Sequence, residues 1–224
     1  MKISKNSIVL LRNYAVINQS MVFNPGKVQR TTNISKSIIA SCELEEDIPA
    51  KFGIFDMNQF LSALTLLDEP ELEFGDKGVK IKSDSNEIFY RYSEPSLIQS
   101  ITEETFGKIQ NLAHAETSFT LTKEMLKKIQ EASSILKAEH LLFEGKNGRV
   151  ALKTYNPKDE GESKASFDIG STEERFKIVM NFMNLKILPG DYVVSVSRSK
   201  ILGFEGTSAP VSYYIPGEKD STFG

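Results

Sequence analysis

Five cations are the residues of this chain best placed to do chemistry on a partner. Lys5 and Arg12 stand seven residues apart in a segment of helical periodicity, so they share one face. Lys123, Lys127 and Lys128 form a second basic set in another helical segment, Lys123 and Lys127 with Gln130 on one face and Lys128 at its side. Lysine and arginine without interleaved aromatics contact phosphate and read no bases. Such contact is sequence-independent, weakens with salt and is compatible with sliding. An ordinary solvated helix face is the competing explanation for the same residues.

Signals for catalysis are missing. There is no Gly-x-x-x-x-Gly-Lys-Ser/Thr phosphate loop, no Gly-x-Gly-x-x-Gly and no Gly-x-Ser-x-Gly. With two histidines, His114 and His140, and one cysteine, Cys42, a His/Cys zinc site cannot be completed. The acidic pairs Glu45-Glu46 and Glu173-Glu174 fall in expected turns and read as solvated surface; the histidines read as surface or hydrogen-bonded residues. The expectation is a protein with no catalytic residues, cofactor or metal.

The elements that must position the cations follow from periodicity and turn chemistry. A helix is expected over 4–18, capped by Ser4, with Ile8, Leu11, Ala15 and Asn18 on one face flanked by Tyr14 and Val16. Short strands fill 21–55, with a hairpin turn at Asn24-Pro25-Gly26 and a β-branched run over 37–44 that buries Cys42. Asp56 and Gln59 have capping-box spacing before a helix over 57–67. A hairpin joins 72–74 to 79–82, a strand covers 88–92, and 93–112 reads as a connection without a strong period.

The second half repeats this order. A strand over 118–121 precedes a helix over 122–136, capped by Thr122. Its core stripe is expected to be Met125, Ile129, Ala132 and Leu136, with Glu124 and Glu131 away from the lysines. A hairpin over 141–154, a charged loop tip at 156–164, strands at 165–169 and 176–179, a short helix at 181–187 and strands at 192–197, 203–205 and 211–215 complete it. Local sequence repeats as well. Lys51-Phe52-Gly53-Ile54 through Phe60-Leu61 is echoed by Arg175-Phe176-Lys177-Ile178 through Asn184-Leu185, and Val22-Phe23 through Gly26-Lys27 by Leu142-Phe143 through Gly145-Lys146. Duplicated units point to a quasi-symmetric object.

At 224 residues, 40% hydrophobic and 25% charged, the chain suits one large domain or two of about 110. A net charge of −3 excludes a basic nucleic-acid glue but not a local cationic surface. One cysteine allows no internal disulfide, the N-terminus does not read as a signal peptide, and no apolar run nears the ~20 residues of a membrane span. A cytosolic protein is expected, in which the sequons at Asn18 and Asn33 carry no meaning.

The chain resembles the sliding clamps, the DNA polymerase processivity factors, of T-even-type tailed bacteriophages. The resemblance runs from Met1-Lys2-Ile3-Ser4-Lys5, with Leu11, Asn13, Ala15, Ile17 and Asn18, through Phe55-Asp56-Met57-Asn58-Gln59-Phe60-Leu61. It continues through Asn181-Phe182-Met183-Asn184-Leu185-Lys186-Ile187-Leu188-Pro189-Gly190-Asp191-Tyr192 to Phe204-Glu205-Gly206 and Asp220-Ser221-Thr222. It implies an α+β fold with two topologically similar sliding-clamp domains per chain, 1–110 and 111–224. Helices line a homotrimeric ring around duplex DNA, with sheets on the outside. The implied partners are duplex DNA, a replicative DNA polymerase, a clamp-loader complex, late-transcription sigma or co-activator factors and the chain itself, in the cytoplasm of an infected bacterial host, with no membrane and no cofactor. The clamp is also expected to act as a mobile activator of phage late transcription. Lys5, Arg12, Lys123, Lys127 and Lys128 fall where the family's hole-lining helices lie and are the expected phosphate contacts. The alternative is a non-catalytic interaction adaptor built on the same duplicated sheet.

Overall fold

A computed structural model describes residues 1–156 and 163–224; most of the loop tip expected over 156–164 lies outside the described residues. The chain forms two compact units, Met1–Ile101 and Thr102–Gly224.

The first unit opens with α1 (Lys5–Ile17), where the Ser4 side chain accepts the Ser7 N–H. Strands β1 (Met21–Phe23), β2 (Gly26–Thr32), β3 (Ile39–Ile48) and β4 (Phe52–Ile54) come after it. Next are α2 (Met57–Leu66), β5 (Glu71–Phe74), β6 (Gly78–Ser83) and β7 (Asn86–Arg91). Asp56 caps α2 as its spacing predicts, its Oδ1 accepting the Gln59 N–H at 2.9 Å. Strands β5, β6 and β7 form an antiparallel meander with β7 at one edge.

Two expectations change. Asn24-Pro25-Gly26 turns the chain, with Gly26 at φ +94°, yet closes no hairpin: β1 pairs with β4, and β2 with β3. The buried Gln29 side chain holds the turn, its amide donating to the Asn24 and Gly26 carbonyls and accepting from the Asn24 N–H. The buried side of α1 is rotated from the expected stripe. Leu10, Leu11, Tyr14, Ala15 and Ile17 are buried, Ile8 is half-buried and Val16 is 60% exposed, because α2 and β3 pack against the Tyr14 side.

The second unit contains α3 (Glu103–Leu112), β8 (Thr117–Leu121), α4 (Lys123–Leu136), β9 (His140–Lys146) and β10 (Arg149–Tyr155). It continues with β11 (Ser166–Gly170), β12 (Phe176–Asn181), β13 (Tyr192–Val196), β14 (Ile201–Gly206), β15 (Val211–Pro216) and β16 (Thr222–Phe223). One sheet has the order β11-β10-β9-β12-β16; β15, β14, β13 and β8 lie side by side in another. Helix α3 occupies a segment expected to be irregular. Thr102 caps it and Glu103 and Glu104 favour its positive end, but only Phe106 and its C-cap Ala113 are buried, so no apolar period is visible. The helix expected over 181–187 is a single 3-10 turn, Phe182–Asn184, because the Leu188 N–H goes to the Tyr213 hydroxyl at 3.1 Å instead of to a helical carbonyl.

The echoed segments are each other's partners. β1 pairs with β4 in the first unit and β9 with β12 in the second, both antiparallel. Phe23 stands opposite Phe52, while the matching Phe143 stands opposite Ile178, a slip of two residues that keeps the same side chains on the core face. Phe23 stacks on Phe52 at 4.8 Å, and Phe52 on Tyr92 at 4.6 Å. Phe143 meets Phe119 and Phe204 at 6.3 and 6.2 Å. Aromatic pairs of this kind add about 0.5–1.5 kcal/mol beyond area burial.

Gly53, in the echoed strand β4, has no room for a side chain: a Cβ there would stand 2.6 Å from the Ser93 carbonyl oxygen and 2.9 Å from Ile98 Cδ1. Gly53→Ala is expected to destabilise the protein by about 1–3 kcal/mol in denaturant titration. Gly107→Ala, where a Cβ in α3 meets nothing within 4 Å, is expected to stabilise it by roughly 0.5–1 kcal/mol. Asp56→Ala is expected to cost about 1 kcal/mol through loss of the α2 cap.

Candidate nucleic-acid interface

Helices α1 and α4 carry the five sequence-predicted cations, and each is tethered at its N-terminus by a carboxylate from elsewhere in its own unit. The Ser4 N–H and the Ser7 hydroxyl donate to the two oxygens of Glu46, both at 2.6 Å, and Asn6 Nδ2 donates to Glu45. In the second unit Thr122 accepts the Met125 N–H at 3.2 Å, and Asp191 Oδ1 accepts the Lys123 N–H at 2.6 Å. A carboxylate at a helix N-terminus satisfies an otherwise unpaired donor and sits at the positive end of the helix dipole. Glu45-Glu46 is therefore a helix anchor rather than plain solvated surface. The Asn6 and Ser4 hydrogen bonds hold the Glu45 carboxyl below its usual range.

Burial of one helix side determines what the other presents. With α1 buried through Leu10, Leu11 and Tyr14, a rotation of about 100° per residue places Lys5, Val9, Arg12 and Val16 near the middle of the outward face. Lys5 and Arg12 are exposed, and neither makes an ion pair among the described residues. The helix sequence contains no acid.

Helix α4 packs on β10 and β11 through Leu126, Ile129 and Ser133; of the expected stripe only Ile129 is buried, and Met125, Ala132 and Leu136 are half-buried at its flanks. The expected separation of acids from lysines fails on spacing, since Glu124 stands four residues before Lys128 and Glu131 four after Lys127, and the rotation turns that set outward. Glu124 and Glu131 lie about 20° apart in the middle of the outward face, with Lys127 and Lys128 on either side, about 100° from each other. Lys128 Nζ pairs with Glu124 at 2.8 Å and Lys127 Nζ with Glu131 at 3.7 Å. The Lys128 hydrogen bond and charge hold the Glu124 carboxyl below the ordinary glutamate range. Lys123 is exposed and makes no ion pair among the described residues. Sequence reasoning missed Lys137, an exposed cation at the left-handed C-cap of α4, because it lies past the last helical turn.

Among the described residues no group of three or more His, Cys, Asp or Glu side chains could hold a metal ion. His114 is exposed; His140 is half-buried, and its enclosed Nδ1 has no hydrogen-bond partner among the described residues, contrary to expectation. Cys42 is buried in β3 as expected, and that burial pushes its thiol up to about 11. No described helix is long and apolar enough to cross a membrane.

Comparison with known proteins bears on the whole chain. The family model for DNA polymerase processivity factors matches residues 4–100. The sliding clamp of Vibrio phage KVP40 is 30% identical over 223 residues, covering 97% of this chain and 99% of that protein. The sliding clamp of Escherichia phage RB69 is 28% identical over 99% of each. Among solved structures, proliferating cellular nuclear antigen from Entamoeba histolytica shares the fold at a TM-score of 0.69, with 14% identity over 97% of both chains. The Helicobacter pylori beta clamp bound to a DNA ligase peptide does so at 0.70, with 14% identity over 98% of this chain and 65% of that one. An α+β fold, a duplicated architecture and full-length similarity to phage clamps agree: the chain belongs to the bacteriophage sliding clamps, the DNA polymerase processivity factors.

Proposed function

We propose that three copies of this chain close head to tail into a ring around duplex DNA, as a processivity factor without catalytic activity of its own. The observation that carries the reading is the pair of carboxylate-anchored helices, each with its apolar side buried and its cations outward. Lys5 and Arg12 on the first unit and Lys123, Lys127 and Lys128 on the second are the proposed phosphate contacts. A net charge of −3 disfavours adhesion of DNA to the outside, and loose contacts inside leave the ring mobile. Enclosure, not affinity, then supplies processivity.

Ring closure needs surfaces that join. Strand β7 is an open edge of its meander, and β11 an open edge of the five-stranded sheet. Beside β7, a groove lined by Phe55, Gln59, Ala63, Phe89, Tyr90 and Arg91 leaves Phe55 71% and Phe89 55% exposed. Unpaired backbone donors and acceptors next to exposed aromatics suit pairing with another copy.

The proposed partners are duplex DNA, the replicative polymerase and a clamp loader whose ATP hydrolysis opens the ring. Activation of late transcription with its sigma or co-activator factors, and action in the cytoplasm of the infected host, rest on the family resemblance alone.

Light scattering across concentrations is expected to show three chains per particle, with dissociation on dilution. The loaded protein is expected to stay on nicked circular DNA and to leave once the circle is linearised; equal retention on linear DNA with free ends would contradict enclosure. Replacing Lys123, Lys127 and Lys128 together by alanine is expected to reduce loading and polymerase stimulation, and to lower the salt dependence of duplex binding by about 1–3. No change in any of these would favour the adaptor reading.

A further inference from the structure

The two cation-bearing helices are electrostatically unlike. Helix α1 has two cations and no acid, while α4 has three cations and two acids. On α4 the acids occupy the middle of the outward face, and each is paired with a lysine one turn away. A flat polyanion approaching that face meets Glu124 and Glu131 before it reaches a free ammonium.

From this geometry we infer that Glu124 and Glu131 are built-in competing anions that attenuate the contact of α4 with DNA phosphates, so that Lys5, Arg12 and Lys123 lead the attraction and the duplex stays mobile. The inference rests on the proposed DNA reading. For Lys128 or Lys127 to bind a phosphate oxygen, its carboxylate partner must first be displaced. The gain is then an exchange of one anion for another, with fewer counterions released from the duplex. The side chains are well exposed, from 52% to 78%, so these pairs contribute little to folding and each lysine can still make a brief contact. The same exposure leaves both carboxylates free to repel phosphate.

The test uses the full-length protein with Glu124→Gln and Glu131→Gln, singly and together, and a short linear duplex of mixed sequence. Glutamine keeps the shape and removes the charge. Since Glu124 also sits in the first turn of α4, E131Q alone keeps the question open to test if E124Q weakens the helix. The double variant is expected to bind the duplex several-fold more tightly at low salt. The slope of log K against log salt should steepen by about 1–2 for each α4 engaged, and exit from linear ends should slow. The companion variant, Lys5→Ala with Arg12→Ala, is expected to bind less tightly with a shallower slope. If the companion weakens binding but the glutamine variants leave affinity and slope unchanged, the screening role is overturned while the DNA reading stands. If neither set moves binding, both fall.

Discussion

A helix can hold cations toward a partner only if its opposite side is held in place. In this protein that constraint is met by burial on the sheets. Leu10, Leu11, Tyr14 and Ile17 lock the rotation of α1, and Leu126 and Ile129 lock that of α4. Each such side chain contributes about 1.5–3 kcal/mol when fully buried. A rotation of either helix by one residue, about 100°, would expose that core and bury charge. Glu46 and Asp191 then fix the N-terminal ends against the sheets. The direction of Lys5, Arg12 and the α4 lysines is thus a consequence of packing on the far side of each helix.

The duplication shows what the fold requires and what it tolerates. Both copies keep the pairing of the echoed strands, with Phe23 and Phe143 fully enclosed. Crowded glycines do not coincide: Gly53 lies against the Ser93 backbone where the second copy has Lys177, and Gly145 lies under the Phe176 ring where a Cβ at Gly26 of the first copy would meet nothing. Beyond the second echoed strand the two copies diverge. Ten residues of helix in one copy are reduced to one 3-10 turn in the other, where tyrosine hydroxyls and a proline redirect the chain. Strand pairing that builds the core is retained, while the helix after it varies with what lies beneath.

Much of this was legible in the residues. Ser4, Asp56 and Thr122 announce helix starts, and all three cap as read, because capping is a local contest between a side chain and the first free N–H groups. The hairpins over Gly75 to Gly78 and over Asn147-Gly148 arise from turn chemistry of the same short range. The candidate site was legible as a set of residues but not in the direction it faces. The spacing alone sets Glu124 and Glu131 between Lys127 and Lys128, one turn from their partners, while which way that face turns depends on which side of α4 the sheet covers. Helix α3 was hidden for a related reason: a helix with so little buried surface shows no apolar period.

The residues alone carried the helix caps at Ser4, Asp56 and Thr122, the echoed strand segments and the family. These rest on propensity, spacing and residue identity, which act over a few bonds or are compared position by position. Helix rotation, strand partnership and the anchoring of α1 and α4 by distant carboxylates were set by tertiary contacts alone. The sheet contacts turned α1 and α4 away from their expected stripes, β1 found β4 instead of its neighbour β2, and Asp191 met the Lys123 N–H. Each depends on segments distant in sequence competing for the same surface, and the largest buried apolar area wins that competition.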